Sequence, residues 1–243
     1  MSNPDIYKNI HEGILLSDYE KCMNDLSEIN FKGGIIFSAF SEPFLNKNLN
    51  ELIKMTRDYL KDSSIEINSN GDVIKKNKKL IDEVFKNGLS KLIISVYDGE
   101  DSFLEFKTLI SEFEYDIVLR RRYFKNDNYG MVISNRAGSV DTTNYRTNEQ
   151  QKIKQELPFN QPCYYPFYQL IIDYNGDVLL CAHDWEKKII AGNAFKENII
   201  DIWGGKAFTF VRNKLKDSSR MFAPCNKCSV DGTLIGIKYY ESY

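Results

Sequence analysis

Pro224-Cys225-Asn226-Lys227-Cys228 closes a set of four cysteines spaced C-x17-C-x43-C-x2-C, the others being Cys163 and Cys181. Between those two runs Phe167-Tyr168-Gln169-Leu170-Ile171-Ile172-Asp173-Tyr174-Asn175-Gly176-Asp177-Val178-Leu179-Leu180. The stretch reads as two short strands around Asn175-Gly176, a pair that tolerates the positive φ angles of a tight hairpin turn. One cysteine then precedes a β-hairpin, a second ends its return strand, and the last two sit in a knuckle where both thiolates face one centre. Four convergent thiolates suit either tetrahedral zinc or an iron–sulfur cluster. Unrelated buried cysteines or disulfides are the alternatives. A C-x-x-C pair favours metal, and nothing in the chain points to an oxidising compartment. Cys163, Cys181, Cys225 and Cys228 are the candidate metal ligands.

The 243 residues are enough for one large domain or two modest ones, and 42% hydrophobic with 27% charged residues is the balance of a soluble globular protein. A net charge of −2 implies no nucleic-acid or membrane electrostatics. No apolar run approaches a membrane span or a signal core, so the expected compartment is the cytoplasm.

Upstream of the cysteines the chain alternates helix and strand. Ser17-Asp18-Tyr19-Glu20 has the capping-box pattern, and Tyr19, Met23, Leu26 and Ile29 continue at helical spacing. Strands are expected at Gly34–Ser38, Ile65–Asn68, Lys91–Val96, Ile117–Leu119 and Met131–Ile133. The helices between them carry Leu49, Leu52, Ile53 and Leu60, then Leu80, Ile81, Val84 and Phe85, then Phe103, Phe106, Leu109 and Ile110. This cadence predicts parallel βαβ units. It opens on a helix with no strand before it, so the α/β unit reads as a partial (β/α) TIM-like barrel missing its first strand. The expected division is a barrel over 1–140, a polar linker over 141–160 and a small cysteine-rich domain with a β-hairpin over 161–243. There, Ile200–Trp203 leads into a helix with Ala207, Phe210, Val211 and Leu215 on one face. Lys75, Lys76, Lys78 and Lys79 read as a wet helix face.

Ligands of parallel α/β units collect at the carboxyl ends of strands. Those ends carry Ser38–Pro43, Asn68–Asp72, Ser95–Gly99, Arg120–Arg122 and Ser134–Gly138, all suited to a polar ligand. Turn chemistry alone is the competing reading.

The succession Ser41-Glu42-Pro43, Ser69-Asn70-Gly71 and Ser95, followed by the cysteine segment, resembles a radical SAM enzyme with a C-terminal SPASM or "twitch" auxiliary-cluster domain. The resemblance covers nearly the whole chain from Ser17. It implies that Ser41 (in place of the family's glycine), Glu42 and Pro43 meet the amino group of S-adenosylmethionine, with Ser69, Asn70 and Ser95 as further cofactor contacts. It implies one fully ligated [4Fe-4S] auxiliary cluster at the four cysteines. Arg136, with the Arg120–Arg122 run, is the candidate to orient or deprotonate a substrate hydroxyl. The implied chemistry is radical oxidation of a polyol, sugar or aminocyclitol, with a peptide as another substrate class and flavodoxin or ferredoxin as electron donor.

One departure matters. The family needs C-x-x-x-C-x-x-C after its first barrel strand, to hold the cluster that cleaves S-adenosylmethionine. Only Cys22 remains outside the quartet, and one thiolate cannot hold that second [4Fe-4S] cluster. Motif and strand are missing at one place, which favours a lost N-terminal segment, with residues 1–16 the tail of its cluster loop. The alternative is a degenerate, non-catalytic binding module with a structural iron–sulfur or zinc site. His11 carries no signal. His183, two residues past Cys181, is a neighbour of the metal site, and Trp185 and Trp203 are expected as packing around it.

Overall fold

The computed structural model describes residues 12–126, 130, 133–142 and 156–243. The chain divides into two compact units, one of Leu15–Val132 and one holding Ile133–Tyr243.

In the first unit, runs of β-branched residues form β1 (Ile35–Phe37), β2 (Ile65–Ser69), β3 (Lys91–Val96) and β4 (Ile117–Arg121). They pair in that order as a parallel sheet, with Ile67 opposite Leu92 and Ile93 opposite Val118. Parallel neighbours need a crossover between them. Here the crossovers are α2 (Leu49–Tyr59), then α3 (Asp72–Lys76) with α4 (Lys79–Lys86), then α5 (Glu100–Ile110). Ile65, Ile67, Leu92 and Ile94 of the sheet pack with Ile53, Ile74, Ile81, Val84 and Phe106 of the helices. Each such burial contributes roughly 1.5–3 kcal/mol. The outer strands alternate, with Ile36 and Val118 exposed between inward neighbours. α1 (Leu16–Glu28) precedes β1, and no strand precedes α1 among the described residues.

The expected capping box is not made. α1 begins at Leu16, so Ser17 lies inside its first turn, and the cap residue Leu15 offers no side-chain bond. Glu20 instead accepts the Tyr59 hydroxyl at 2.9 Å. α1 is fixed to α2 by Tyr19, whose hydroxyl donates to Thr56 Oγ1 at 2.5 Å because the single Thr56 proton is given to Leu52 O. Cys22 is buried in α1, where desolvation pushes its thiol up to about 11. The lysine patch is a solvated face as expected, with Lys75 paired to Glu105 and Lys78 to Glu112. It is split between α3 and α4, because the chain leaves the helix at Asn77.

In the second unit the hairpin forms, in shortened form. Phe167 and Tyr168 belong to a helical turn, α6 (Tyr165–Tyr168), rather than to a strand, because Pro166 favours a first helical turn. β5 (Ile171–Ile172) and β6 (Asp177–Leu179) pair antiparallel. The turn centres on Tyr174-Asn175, and Gly176 takes φ +86° just after it. A third strand, β7 (Ile190–Asn193), joins β6. Its Ile-Ala-Gly-Asn sequence gives no alternation to read. α7 (Ile199–Gly204) and α8 (Lys206–Lys216) are separate helices. Phe208, Val211 and Leu215 form the buried stripe of α8, and Phe210 is 50% exposed against Phe222, correcting the expected face. Trp203 lies 3.9 Å from the buried Arg212 guanidinium, a packing role.

The expected boundary at residue 140 shifts. Ile133–Thr142 belongs to the cysteine unit, because its polar side chains bond there. Most of the expected linker (143–155), Met131 and Val132 of the last expected strand, and His11 lie outside the described residues.

Gly71 supplies the first test. Its φ is +83°, and an added Cβ would overlap the Phe106 ring and lie 2.9 Å from Ile94 Cγ2. Gly71→Ala is expected to cost about 2–4 kcal/mol by combining left-handed strain with core overpacking. Urea denaturation should show it. A variant within 0.5 kcal/mol of the parent, an approximate limit for innocuous substitutions, would contradict this packing.

Candidate functional site

Cys163 lies just ahead of α6, Cys181 just past β6, and Cys225 opens a 3-10 turn (Cys225–Lys227) that Cys228 follows. These segments bring all four side chains to one cavity, walled also by Ala137, Pro166, Leu180, His183, Leu215 and Arg220. All four are free thiols, half-buried as residues. Desolvation raises each above the ordinary thiol range: Cys181 far above it, Cys225 to about 12, and Cys163 and Cys228 also upward. Ligation would therefore release protons. Opposing burial, N–H groups reach sulfur. His183 N donates to Cys181 Sγ at 3.4 Å, and backbone N–H groups of Tyr165 and of Val230 and Ala137 act on Cys163 and Cys228.

The four thiols share one cavity.

The Asn135–Gly138 loop is zipped to the knuckle. Asn135 N donates to Ser229 Oγ (2.9 Å), its Nδ2 to Lys227 O (2.7 Å), and Ser229 N to Asn135 Oδ1 (2.9 Å). Arg136, Ala137 and Gly138 then run through φ +47°, +52° and +96°, a strained left-handed stretch in two non-glycine residues. The loop places the Arg136 guanidinium 5.0 Å from the Trp185 ring, with Nη1 3.2 Å from His183 Nδ1. Guanidinium only donates, so His183 Nδ1 accepts and the imidazole is neutral. Burial, then the Arg136 charge, lowers its pKa to about 4. With Nδ1 also 3.2 Å from Ser134 Oγ, His183 lies beside the thiols as a neighbour. The Asn135 zipper and Arg220 were not legible in the sequence. The only signal was an arginine five residues before Cys225 in a segment without acids, Ser218-Ser219-Arg220-Met221-Phe222.

The first unit holds the other candidate set. Glu42 caps a 3-10 turn (Pro43–Leu45), accepting Phe44 N at 3.2 Å, and Pro43 fits its first position without an N–H to satisfy. Glu42 Oε1 also accepts Ser69 Oγ at 2.7 Å, and Oε2 accepts Asn70 N at 2.9 Å. Ser69, at the carboxyl end of β2, is buried and takes Gly71 N on its oxygen at 2.9 Å. Glu42, Ser69 and Asn70, 27 and 28 residues apart in sequence, thus meet in one cradle. A carboxylate has about four acceptor sites, and these bonds leave one lone pair on Oε2. Ser41 is exposed and Ser95 half-buried on β3, and neither hydroxyl bonds to the cradle. Arg120 is exposed on β4, and Arg122 Nη1 donates to Arg121 O at 3.1 Å.

A family model described as "Iron-sulfur cluster-binding domain" (SPASM) matches residues 163–229, which contain all four cysteines. The chain is 29% identical over 219 residues to the S-adenosyl-L-methionine-dependent 2-deoxy-scyllo-inosamine dehydrogenase of Niallia circulans, spanning 87% of this chain and 80% of that protein. Among solved structures, BtrN in complex with AdoMet and 2-DOIA matches with a TM-score of 0.72 at 26% identity, over 90% of this chain and 81% of that one. Selenomethionine BtrN in an open conformation shares the fold with a TM-score of 0.64 at 22% identity, over 95% and 86%. Residues 163–229 thus match a SPASM iron–sulfur cluster-binding domain, the chain as a whole is similar to an S-adenosyl-L-methionine-dependent dehydrogenase, and its 243 residues contain no C-x-x-x-C-x-x-C segment.

Proposed function

We propose that this chain is the substrate-binding and auxiliary-cluster body of a radical SAM oxidoreductase that oxidises a carbinol of a polyol, sugar or aminocyclitol. The observation carrying this reading is the single cavity shared by Cys163, Cys181, Cys225 and Cys228 within the SPASM-matched residues. Likeness to a dehydrogenase of 2-deoxy-scyllo-inosamine, and to BtrN with AdoMet and 2-DOIA, supports the substrate class. When bound, one [4Fe-4S] cluster would supply a one-electron acceptor and S-adenosylmethionine a hydrogen-abstracting radical, the latter only with a second cluster held by a C-x-x-x-C-x-x-C segment.

The protein's own residues bind and orient. Four protein thiolates leave no open position for substrate on the auxiliary centre. The Glu42 cradle, with one acceptor site left, suits the ammonium of the cofactor's methionine part, Ser69 and Asn70 fixing the carboxylate. Pro43 sets the turn, and Ser41 and Ser95 are outer contacts. Arg136, oriented by His183 and Trp185, would hold a substrate hydroxyl and favour its deprotonation. The sheet unit is read as a partial barrel without its first strand. The working compartment is the cytoplasm, where thiols stay reduced and flavodoxin or ferredoxin can donate electrons. No described helix is long and apolar enough to cross a membrane.

A second reading has one observation in its favour, the absence of a cleavage-cluster motif from these 243 residues. In it the chain is a non-catalytic binding module whose four cysteines are a structural staple of iron–sulfur or zinc.

Anaerobic purification separates the two. Brown protein with broad visible absorption, binding both S-adenosylmethionine and 2-deoxy-scyllo-inosamine, is expected. Colourless zinc protein that binds neither would overturn the enzyme reading. Cys225→Ser and Cys228→Ser should each lose most of the metal and lower the melting temperature. Metal content and melting unchanged in both would rule out the shared centre. Glu42→Gln, checked for folding by circular dichroism, should weaken S-adenosylmethionine binding about tenfold, or 1.4 kcal/mol. Unaltered affinity would remove the cradle from the cofactor site.

A further inference from the structure

Arg220 is the largest fully enclosed side chain among the described residues, 2% exposed. Its guanidinium donates only to main-chain carbonyls: Nε to Gln161 O (3.1 Å), Nη1 to Val230 O (2.6 Å), and Nη2 to Pro162 O (2.5 Å) and to Asp231 O. Those carbonyls flank the cysteines, Gln161 and Pro162 leading into Cys163, and Val230 and Asp231 leading away from Cys228. Arg220 itself lies five residues before Cys225. One side chain therefore ties the entry of the first ligand segment to the exit of the last. It also lines the cysteine cavity. A Cβ built on Gly232 would lie 2.5 Å from Cys163 Sγ and 3.0 Å from Arg220 Nη2, so thiol and guanidinium share one face of that glycine.

The bonds satisfy donors without cancelling charge. Arg220 makes no ion pair with a carboxylate among the described residues. The Asp231 carboxylate is bonded by Thr233 and Gln161 and interacts with the guanidinium through space, without a direct contact. A buried charge without a contacting counter-charge is costly, and arginine cannot shed its proton. The cysteine side chains line the same cavity as the guanidinium, and Cys163 Sγ shares one face of Gly232 with its Nη2.

We infer that Arg220 is the buried counter-cation of the cysteine centre, positioning three of its ligands and raising its reduction potential. The inference rests on reading the four cysteines as iron–sulfur ligands. Such a centre carries a net charge of roughly −2 when oxidised, and reduction adds one more negative charge; net charge is among the factors that set its potential. A fixed cation beside it stabilises the reduced form more.

The test uses the full chain, reconstituted anaerobically with iron and sulfide, and compares Arg220→Gln with Arg220→Lys. Iron and sulfide per chain, melting temperature and the midpoint of a dithionite-poised titration followed by electron paramagnetic resonance are measured. Arg220→Gln is expected to reduce at a lower potential. Arg220→Lys should keep the parent potential while melting lower, since an ammonium retains the charge but cannot span four carbonyls. A mere clamp would move melting alone. A full cluster at unchanged potential in Arg220→Gln, or an equal shift in both variants, overturns the inference. If Arg220→Gln retains no cluster, Arg220→Lys decides: a cluster at the parent potential supports the assignment, and loss of the cluster from a folded Lys variant overturns it. A parent protein that takes up no more iron than Cys225→Ser overturns the underlying reading instead.

Discussion

Four cysteines from three separate stretches of chain line one largely apolar cavity, and the polar contacts of the second unit gather around it. Converging them costs chain entropy, and thiolates there cost desolvation. Two polar devices meet the first cost with protein atoms alone. Asn135 is bonded on both sides of its amide to Lys227 and Ser229, which brackets Cys228. Arg220 bridges the flanks of Cys163 and Cys228 through carbonyls. Hydrogen bonds to a charged donor are each worth about 1.5–3 kcal/mol, and losing one partner leaves a buried group unmatched. The ligand scaffold is therefore ordered by main-chain contacts that do not involve sulfur.

The second cost sets the chemical state of the quartet. Burial favours neutral thiols at all four, and neighbouring cysteines raise Cys163, Cys181 and Cys225 further. Backbone N–H groups and the Arg220 charge work the other way. Metal binding there would tip the balance, since a ligating thiol deprotonates and its new charge would face donors already in place. The cavity is apolar around the sulfurs and electropositive at one wall. This is the environment in which burial and nearby charge tune a cluster's potential.

How much of this was legible in the sequence depends on the range of the interaction. Short-range signals were readable. The C-x-x-C knuckle, the β-branched Lys91–Val96 strand and the glycine needed at Gly176 each follow from one to six neighbouring residues. Signals that depend on a distant partner misled. Ser17 and Glu20 fit a capping box, but Tyr59 from α2 holds Glu20. Phe210 and Phe208 look equivalent in a helical pattern, and only packing against Trp203 and Arg212 selects Phe208. The Asn135–Gly138 stretch reads as the end of a barrel strand, while its side-chain bonds, reaching 92 to 94 residues onward, assign it to the cysteine unit. Within the candidate cofactor set, Glu42, Ser69 and Asn70 converge, and Ser41 and Ser95 do not bond with them.

The two candidate sites answer one physical problem with opposite charge. In the first unit a carboxylate is fixed by three neutral donors, Phe44 N, Ser69 Oγ and Asn70 N, and keeps one acceptor site. In the second a guanidinium is fixed by four neutral acceptors and keeps its whole charge. Each charged group is immobilised by partners that satisfy its geometry without neutralising it. An ion pair in either place would have been simpler to bury but would have cancelled the field. A carboxylate oriented this way is ready for a cation, and a guanidinium oriented this way for an anion, with little reorganisation when either arrives. That shared construction argues against both being packing residues, because packing alone would be served by an apolar side chain of the same volume.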